Sequence, residues 1–154
     1  MEIERKYLTD VLPENLEQYE ALQIEQGYLC ETPVVRIRRM NEEYILTYKS
    51  KKDSPEGHPV CVNQEVELPL TAEAYAHLKE KIDGHLIEKT RYRIPYGAYV
   101  IELDVFHGTY DGMVIAEVEF PSVSESEAFE PPDWFGRNVS DDYHYSNAWL
   151  ATGK

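Results

Sequence analysis

Apolar and polar residues alternate along most of this chain with a period of two, which is typical of β-strands whose two faces meet different surroundings. Turn-forming residues interrupt the alternation at 40–42, 53–57, 95–97 and 107–112. The segments predicted to be strands are 2–9, 24–31, 34–40, 43–51, 61–69, 86–94, 98–106 and 113–120. Because the connections between successive strands are short, we predict an antiparallel meander that closes, or nearly closes, into an eight-stranded β-barrel.

A helical period appears in only a few shorter segments. Residues 71–83 begin at a Thr71 cap and place Tyr75 and Leu78 on one face. The other segments predicted to be helical are 13–22, 124–129 and 140–151. The predicted fold class is therefore α+β and mainly β, with a few helices covering the barrel. Because the 154 residues contain no internal repeat and no long linker, we expect one domain spanning 1–154.

The charge balance is strongly acidic, with 15 Lys and Arg against 29 Asp and Glu and a formal net charge of −14. A surface of this sign repels nucleic acid and anionic lipid, so we expect neither as a partner. No apolar run approaches the roughly 20 residues that span a bilayer. The first strand begins at Glu2, which leaves no room for a signal peptide, and the two cysteines, Cys30 and Cys61, are too few for a disulfide framework. We therefore expect a cytoplasmic protein.

The charged residues are concentrated on one face of the predicted strands. Arg36 and Arg38 share a face, for example, and Glu65 and Glu67 share another. A solvent-exposed face would explain the pattern in any one strand, but like charges side by side are unfavourable and here they recur from strand to strand. If these faces point inward, the basic residues of the lumen are Lys6, Arg36, Arg38, Lys49, Lys89, Arg91 and Arg93. Its acidic residues are Glu2, Glu4, Glu65, Glu67, Glu102, Asp104, Glu117 and Glu119.

A lumen with both signs of charge implies a ligand that also carries both. Buried charges persist only when they are paired or bound to a metal. Clustered carboxylates suit Mg²⁺ or Mn²⁺, whereas clustered Arg and Lys suit phosphate oxygens. Alternate strand positions are about 6.6 Å apart, a spacing suited to successive phosphates of one chain. We therefore predict a bound polyphosphate with Mg²⁺ or Mn²⁺, and all eight acidic residues are candidate metal ligands. A non-catalytic polyphosphate-binding module is an alternative, but it would need fewer carboxylates.

Several motifs resemble the CYTH superfamily, the triphosphate tunnel metalloenzymes. The hallmark of that family, ExExK on the first strand, is matched here by EIERK at 2–6. The further matches, in order, are RIRR at 36–39, Lys49, QEVEL at 64–68, EKTRYR at 88–93, ELDVF at 102–106, AEVEF at 116–120, PPDWFG at 131–136 and YSN at 145–147. The resemblance implies an eight-stranded antiparallel tunnel that hydrolyses or cyclises triphosphate-containing substrates with a divalent metal.

The resemblance also implies roles for particular residues. The residues similar to the metal-binding carboxylates of the family are Glu2, Glu4, Glu117 and Glu119. Those similar to its phosphate ligands are Lys6, Arg36, Arg38, Lys49, Lys89 and Arg91. Just before the YSN motif, where many relatives carry a basic residue, this chain has His144, which is only partly charged near neutrality. Tyr28, which follows a glycine in a predicted strand, is a further candidate for the lumen.

The leading functional hypothesis is hydrolysis of inorganic triphosphate (tripolyphosphate) to diphosphate and phosphate, because phosphoryl transfer needs little beyond positioning and charge stabilisation. Lys89 is the candidate general base, since crowding by cations such as Arg91 lowers a lysine pKa. Glu4 is the candidate catalytic carboxylate. The alternatives are an adenylyl cyclase of the class IV type and the hydrolysis of thiamine triphosphate or nucleoside triphosphates. We expect the protein to act on this small molecule as a monomer or a homodimer.

Overall fold

The computed structural model describes residues 2–52 and 61–153, and the turn predicted at 53–57 lies outside them. The strands are β1 Glu2–Leu8, β2 Glu20–Glu31, β3 Val34–Met40, β4 Glu43–Lys52, β5 Cys61–Pro69, β6 Asp83–Tyr96, β7 Tyr99–His107 and β8 Val114–Glu119. The helices are α1 Ala72–Lys79, α2 Val123–Ala128 and α3 Asn147–Thr152. Short 3-10 turns occupy Leu16–Gln18, Gly108–Tyr110 and Tyr143–Tyr145. The predicted strands are thus all present.

The strands form a closed antiparallel ring in the order β1-β5-β4-β3-β2-β6-β7-β8, which confirms the predicted barrel. Strand β1 closes the ring because it pairs with β8 on one side and β5 on the other. The described pairs of the seam with β5 run from Glu2 with Asn63 to Glu4 with Cys61. Farther along β1, the Lys6 carbonyl accepts a hydrogen bond from the Val139 N–H at 2.8 Å.

Local residue chemistry explains the tight hairpins. In the β3–β4 turn, Asn41 has a φ of 54°, a left-handed conformation that asparagine tolerates better than most residues. Its side-chain oxygen also accepts a hydrogen bond from the Gln23 N–H at 2.9 Å, which ties the turn to β2. Gly97 turns the chain between β6 and β7 with a φ of 60°. These turns hold neighbouring strands in the register that places their charged faces on one side.

The prediction of a helix at 13–22 is wrong. Only Leu16–Gln18 forms a helical turn there, and β2 already begins at Glu20. Residues 20–26 pair with β6, and a continuous backbone ladder outweighs the weak helical preference of the local sequence. The predicted helix at 71–83 keeps its Thr71 cap, whose side chain accepts from the Ala74 N–H at 3.1 Å, but it ends at Lys79.

The apolar outer faces of the strands are partly covered. A cluster around β1, β7 and β8 packs against α2 and the segment after it; its buried members include Ile3, Tyr7, Leu103, Val118 and Phe129. A second cluster closes one end of the barrel beneath α3; it consists of Tyr28, Ile87, Phe106, Ile115, Leu150 and Ala151. No helix in the described part of the chain is both long enough and apolar enough to cross a membrane.

Candidate active site

The inward faces of the strands line a cavity of about 650 Å³ inside the barrel. The charged residues lining it are Glu4, Lys6, Arg36, Arg38, Lys49, Glu65, Glu67, Arg91, Arg93, Glu102, Glu117, Glu119 and Glu125. All except Glu125, which lies on α2, are residues that the alternation predicts to face inward. Two other predicted lumen residues, Lys89 and Asp104, are buried behind the lining, and the Glu2 side chain lies outside the described side chains. The structure therefore brings nearly the whole predicted set together.

The lining divides by sign into two halves. Strands β7, β8, β1 and β5 are neighbours in the ring and carry the predicted acidic residues, so we call them the acidic half. Strands β4, β3, β2 and β6 complete the ring and carry all the predicted basic residues except Lys6, so we call them the basic half. Lys6 lies in the acidic half, where its Nζ is 4.0 Å from Glu4 and 3.9 Å from Glu117. An anion therefore meets cations on one side and carboxylates on the other.

Arg36 and Arg38 of β3 are buried cations, exposed by only 4% and 8%. Among the described side chains, no carboxylate lies within 4.0 Å of either guanidinium. Arg38 Nε donates to Gln26 Oε1 at 2.9 Å, and an Arg36 amine donates weakly to Thr47 Oγ1 at 3.5 Å. Burial, reinforced by repulsion from Arg36, lowers the pKa of Arg38 to about 9. This pair has the properties of an anion-binding site.

Lys89 and Arg91 of β6, in contrast, share the buried carboxylate of Asp104. Arg91 Nε donates to Oδ1 at 2.7 Å, and an Arg91 amine donates to Oδ2 at 3.0 Å. Lys89 Nζ donates to the same Oδ2 at 2.6 Å. Burial alone would oppose ionisation of Asp104, but Arg91 and Lys89 hold its pKa well below the usual range. Both oxygens of Asp104 already face cations, so the geometry makes this residue a counter-ion rather than an open metal ligand.

Lys89 lies at the inner end of the cavity, exposed by only 1%. Burial lowers its pKa to about 8, although Asp104 partly offsets this effect. Besides Asp104, Nζ reaches the side-chain oxygen of Asn147 at 3.3 Å. Asn147 begins α3 and does line the cavity, so it lies between Lys89 and the lumen. In the sequence, Asn147 stands out only as part of the YSN motif, which does not by itself indicate a site residue.

Comparison with known proteins identifies the family. The family model described as CYTH domain matches residues 1–147. The chain belongs to this family. It is 38% identical over 156 residues to an inorganic triphosphatase of Nitrosomonas europaea, covering 97% of this chain and 96% of that protein. It is 35% identical over 127 residues to an inorganic triphosphatase of Acetivibrio thermocellus, covering 81% of this chain and 77% of that protein.

A solved structure supports the same assignment. The crystal structure of the inorganic triphosphatase NE1496 superimposes with a TM-score of 0.71 at 36% sequence identity, covering 98% of this chain and 94% of that chain. The CYTH barrel predicted from the alternation and the motifs is thereby confirmed. CYTH triphosphatases are metal-dependent as a family.

The acidic half of the CYTH barrel fits a hard divalent cation in its donor chemistry. Glu4 pairs with Glu119 across β1 and β8, and Glu102 pairs with Glu117 across β7 and β8, so carboxylates lie on neighbouring strands in two register pairs. Burial opposes ionisation of Glu117, but Lys6 and Arg91 lower its pKa and keep it an anion. Within 2–52 and 61–153, no three acidic, histidine or cysteine side chains form a ready-made metal cluster. This arrangement suits Mg²⁺, which proteins usually bind through one or two carboxylates together with phosphate oxygens.

Three further predicted residues take different places in the CYTH barrel. Lys49 of the basic half faces Glu65, with Nζ 3.3 Å from its carboxylate. Tyr28 is not among the residues that line the cavity; it is buried among the apolar residues that close the inner end. His144 lies outside the cavity lining, where its Nδ1 is 2.8 Å from an Asp142 oxygen. His144 therefore contributes no side chain to the cavity lining.

Proposed function

We propose that this CYTH protein hydrolyses inorganic triphosphate to diphosphate and phosphate inside the barrel. The observation that carries the proposal is the buried pair Arg36 and Arg38, two cations without a carboxylate neighbour among the described side chains. A phosphate chain would supply the missing negative charge. The names and the 38% and 35% identities of the two inorganic triphosphatases support the same substrate.

The basic residues would bind and align the phosphate chain. The proposed phosphate ligands are Lys6, Arg36, Arg38, Lys49 and Arg91, with Lys89 behind them. They approach the cavity from several strands, and alternate residues of one strand are about 6.6 Å apart, so one extended triphosphate can contact them together. Since phosphoryl transfer depends mainly on positioning and on charge stabilisation, such a lining supplies most of what the reaction requires.

The acidic residues would hold Mg²⁺ or Mn²⁺. The proposed ligands are Glu2, Glu4, Glu65, Glu67, Glu102, Glu117 and Glu119; Asp104, a candidate from sequence, is set aside because its oxygens face Arg91 and Lys89. When bound, a divalent cation neutralises phosphate oxygens and favours the attack of water. Glu4 faces the cavity beside Lys6, and we assign it the catalytic task of orienting that water.

Lys89 is the proposed general base. Because its pKa is about 8, roughly a tenth of the molecules carry a neutral amine at pH 7. This neutral amine can accept a proton from the attacking water, and it is regenerated in each catalytic cycle. Its place at the inner end, one side chain from the lumen, would direct the attack toward a terminal phosphate. Asp104 would then stabilise the ammonium that forms.

The deciding experiment compares tripolyphosphate, ATP and thiamine triphosphate as substrates with Mg²⁺, Mn²⁺ or excess chelator. We expect the highest kcat/KM for tripolyphosphate with a metal, and loss of turnover in Glu4→Gln and Glu119→Gln. The matched control is Glu80→Gln, an exposed residue after α1, which should leave turnover unchanged. Full activity in chelator would refute the metal assignment, and cyclic AMP as the main product from ATP would replace the hydrolase with a cyclase.

We also propose that the protein is one domain over 1–154 and acts in the cytoplasm as a monomer or homodimer. The acidic composition and the low cysteine content support this setting. Sedimentation of the purified protein would measure the oligomeric state, and cell fractionation would test the compartment.

A further inference from the structure

Asn147 connects the buried Lys89 to the cavity. The Asn147 side chain lines the same cavity as Arg38 and Arg91. Its Oδ1 accepts a hydrogen bond from Lys89 Nζ at 3.3 Å, while Lys89 itself is 1% exposed. Any ligand at the inner end of the cavity therefore meets the amide of Asn147 before it meets Lys89.

The position of Asn147 is set by the packing of α3. Leu150 and Ala151 are buried against the apolar residues that close the barrel, and the Leu150 carbonyl accepts from the Tyr110 hydroxyl at 2.7 Å. At Gly84, an added Cβ would lie 2.1 Å from the Ala151 carbonyl oxygen, so β6 and the end of α3 approach as closely as a glycine allows. The first residue of α3 is thus held in place by contacts outside the lumen.

The bond to Lys89 determines what the other end of the amide can do. Protonated Lys89, the main form at pH 7, only donates hydrogen bonds, so the oxygen of Asn147 faces Lys89 and the Nδ2 amide group faces elsewhere. This amine can only donate, and phosphate oxygens only accept. A neutral donor also adds a phosphate contact without adding a further cation beside Arg38 and Arg91.

We propose that Asn147 is a phosphate-binding residue at the inner end of the cavity, with Oδ1 holding Lys89 and Nδ2 donating to an oxygen of the triphosphate. This inference rests on the proposed function, because it takes the triphosphate as the ligand. It adds to the charged ligands a neutral one, and it gives the C-terminal helix a direct part in substrate recognition.

The test uses Asn147→Ala and Asn147→Asp in the full chain. The alanine removes both hydrogen bonds, whereas the aspartate has the same shape and keeps an acceptor for Lys89 but loses the donor. If Nδ2 binds phosphate, KM for tripolyphosphate should rise about 2- to 12-fold in Asn147→Ala, the usual range for one hydrogen bond, and further in Asn147→Asp. Calorimetric binding of tripolyphosphate without turnover should weaken in the same order.

The control is Asn138→Asp, which makes the same change of charge outside the cavity lining. Asn138 Oδ1 also accepts a hydrogen bond, from the Ser140 N–H at 2.9 Å. The KM of this variant should match the wild type. If Asn147 only holds Lys89, both Asn147 variants should keep the wild-type KM and dissociation constant while kcat changes, and the inference would be overturned. If the wild type neither binds nor hydrolyses tripolyphosphate, the proposed function falls as well, which separates the two failures.

Discussion

Two pairs of basic residues lie on the inward faces of one barrel, but their neighbours differ. Arg36 and Arg38 of β3 are buried with only neutral hydrogen-bond acceptors among the described side chains. Lys89 and Arg91 of β6 are equally buried, but they share the carboxylate of Asp104 from β7. The difference follows from strand order, since β6 adjoins the acidic strand β7 whereas β3 lies between β2 and β4.

The contrast assigns the two pairs different roles, the β6 pair in stability and the β3 pair in ligand binding. Removing one partner of a buried ion pair strongly destabilises the folded protein, so the charges of the β6 pair require Asp104 for a stable fold. The β3 pair carries its charges without a compensating anion in the protein, and an anionic ligand would relieve that cost. A ligand that binds only the folded state also stabilises it, so tripolyphosphate should raise the melting temperature through the β3 pair.

The largest effect is expected for Asp104→Asn. The change leaves Lys89 and Arg91 buried without their carboxylate, so the free energy of unfolding should fall by about 3–5 kcal/mol. Chemical denaturation of the ligand-free protein measures it. Glu102→Gln, on the same face of β7, is the matched control, because burial already raises the pKa of Glu102 and its contact with Arg91 is longer at 3.4 Å. Equal losses in the two variants would contradict the special role of Asp104.

The next effect is on substrate binding at β3. Arg38→Met keeps the apolar stem but removes the charge, so kcat/KM for tripolyphosphate should fall by about 13- to 160-fold, which corresponds to a lost charged hydrogen bond of about 1.5–3 kcal/mol. Every triphosphate substrate should lose the same factor, because the contact is with the phosphate chain. The free energy of unfolding should change by less than about 1 kcal/mol, since removing an uncompensated buried charge offsets the lost bond to Gln26.

Arg39→Met is the control for this variant. Arg39 follows Arg38 on the same strand but is exposed on the outer face, so the same change of charge should leave kcat/KM near the wild-type value. If Arg39→Met lowers kcat/KM as much as Arg38→Met, the effect is one of net charge and the β3 pair is not a specific phosphate site.

The residues of these pairs show how far the sequence alone could lead. Alternation of charge with apolar residues predicted that Arg36, Arg38, Lys89 and Arg91 face inward, because a strand with one buried face has a strict period of two. The alternation does not predict which side chains neutralise or bond these basic residues. That depends on the order of strands around the ring and on the register of β6 against β7, where Arg91 pairs with Asp104.

The C-terminal helix marks the other limit. Helical periodicity indicated a helix over 140–151, and the structure has a 3-10 turn followed by α3. The contact between Asn147 and Lys89 joins residues far apart in the chain, and it arises only when α3 packs on the closed end of the barrel. The helix prediction for 13–22 is wrong for the same reason, because the pairing of β2 with β6 is a tertiary interaction that local helix propensity does not include.

The smallest expected effect is the pH dependence of kcat that follows from deprotonation of Lys89. It tests whether Lys89 has a catalytic role in addition to its ion pair with Asp104. A general base must be neutral, and the pKa of Lys89 is lowered to about 8 by burial, so its neutral fraction rises about tenfold between pH 7 and pH 9. With saturating tripolyphosphate and metal, kcat should therefore rise about tenfold over that interval and then level off. Lys89→Arg keeps a cation beside Asp104 but cannot lose its proton in this range, so its residual kcat should show no such rise. Stopped assays of phosphate release across the pH range measure both profiles. A flat wild-type profile would mean that Lys89 acts only through its charge and is not the general base.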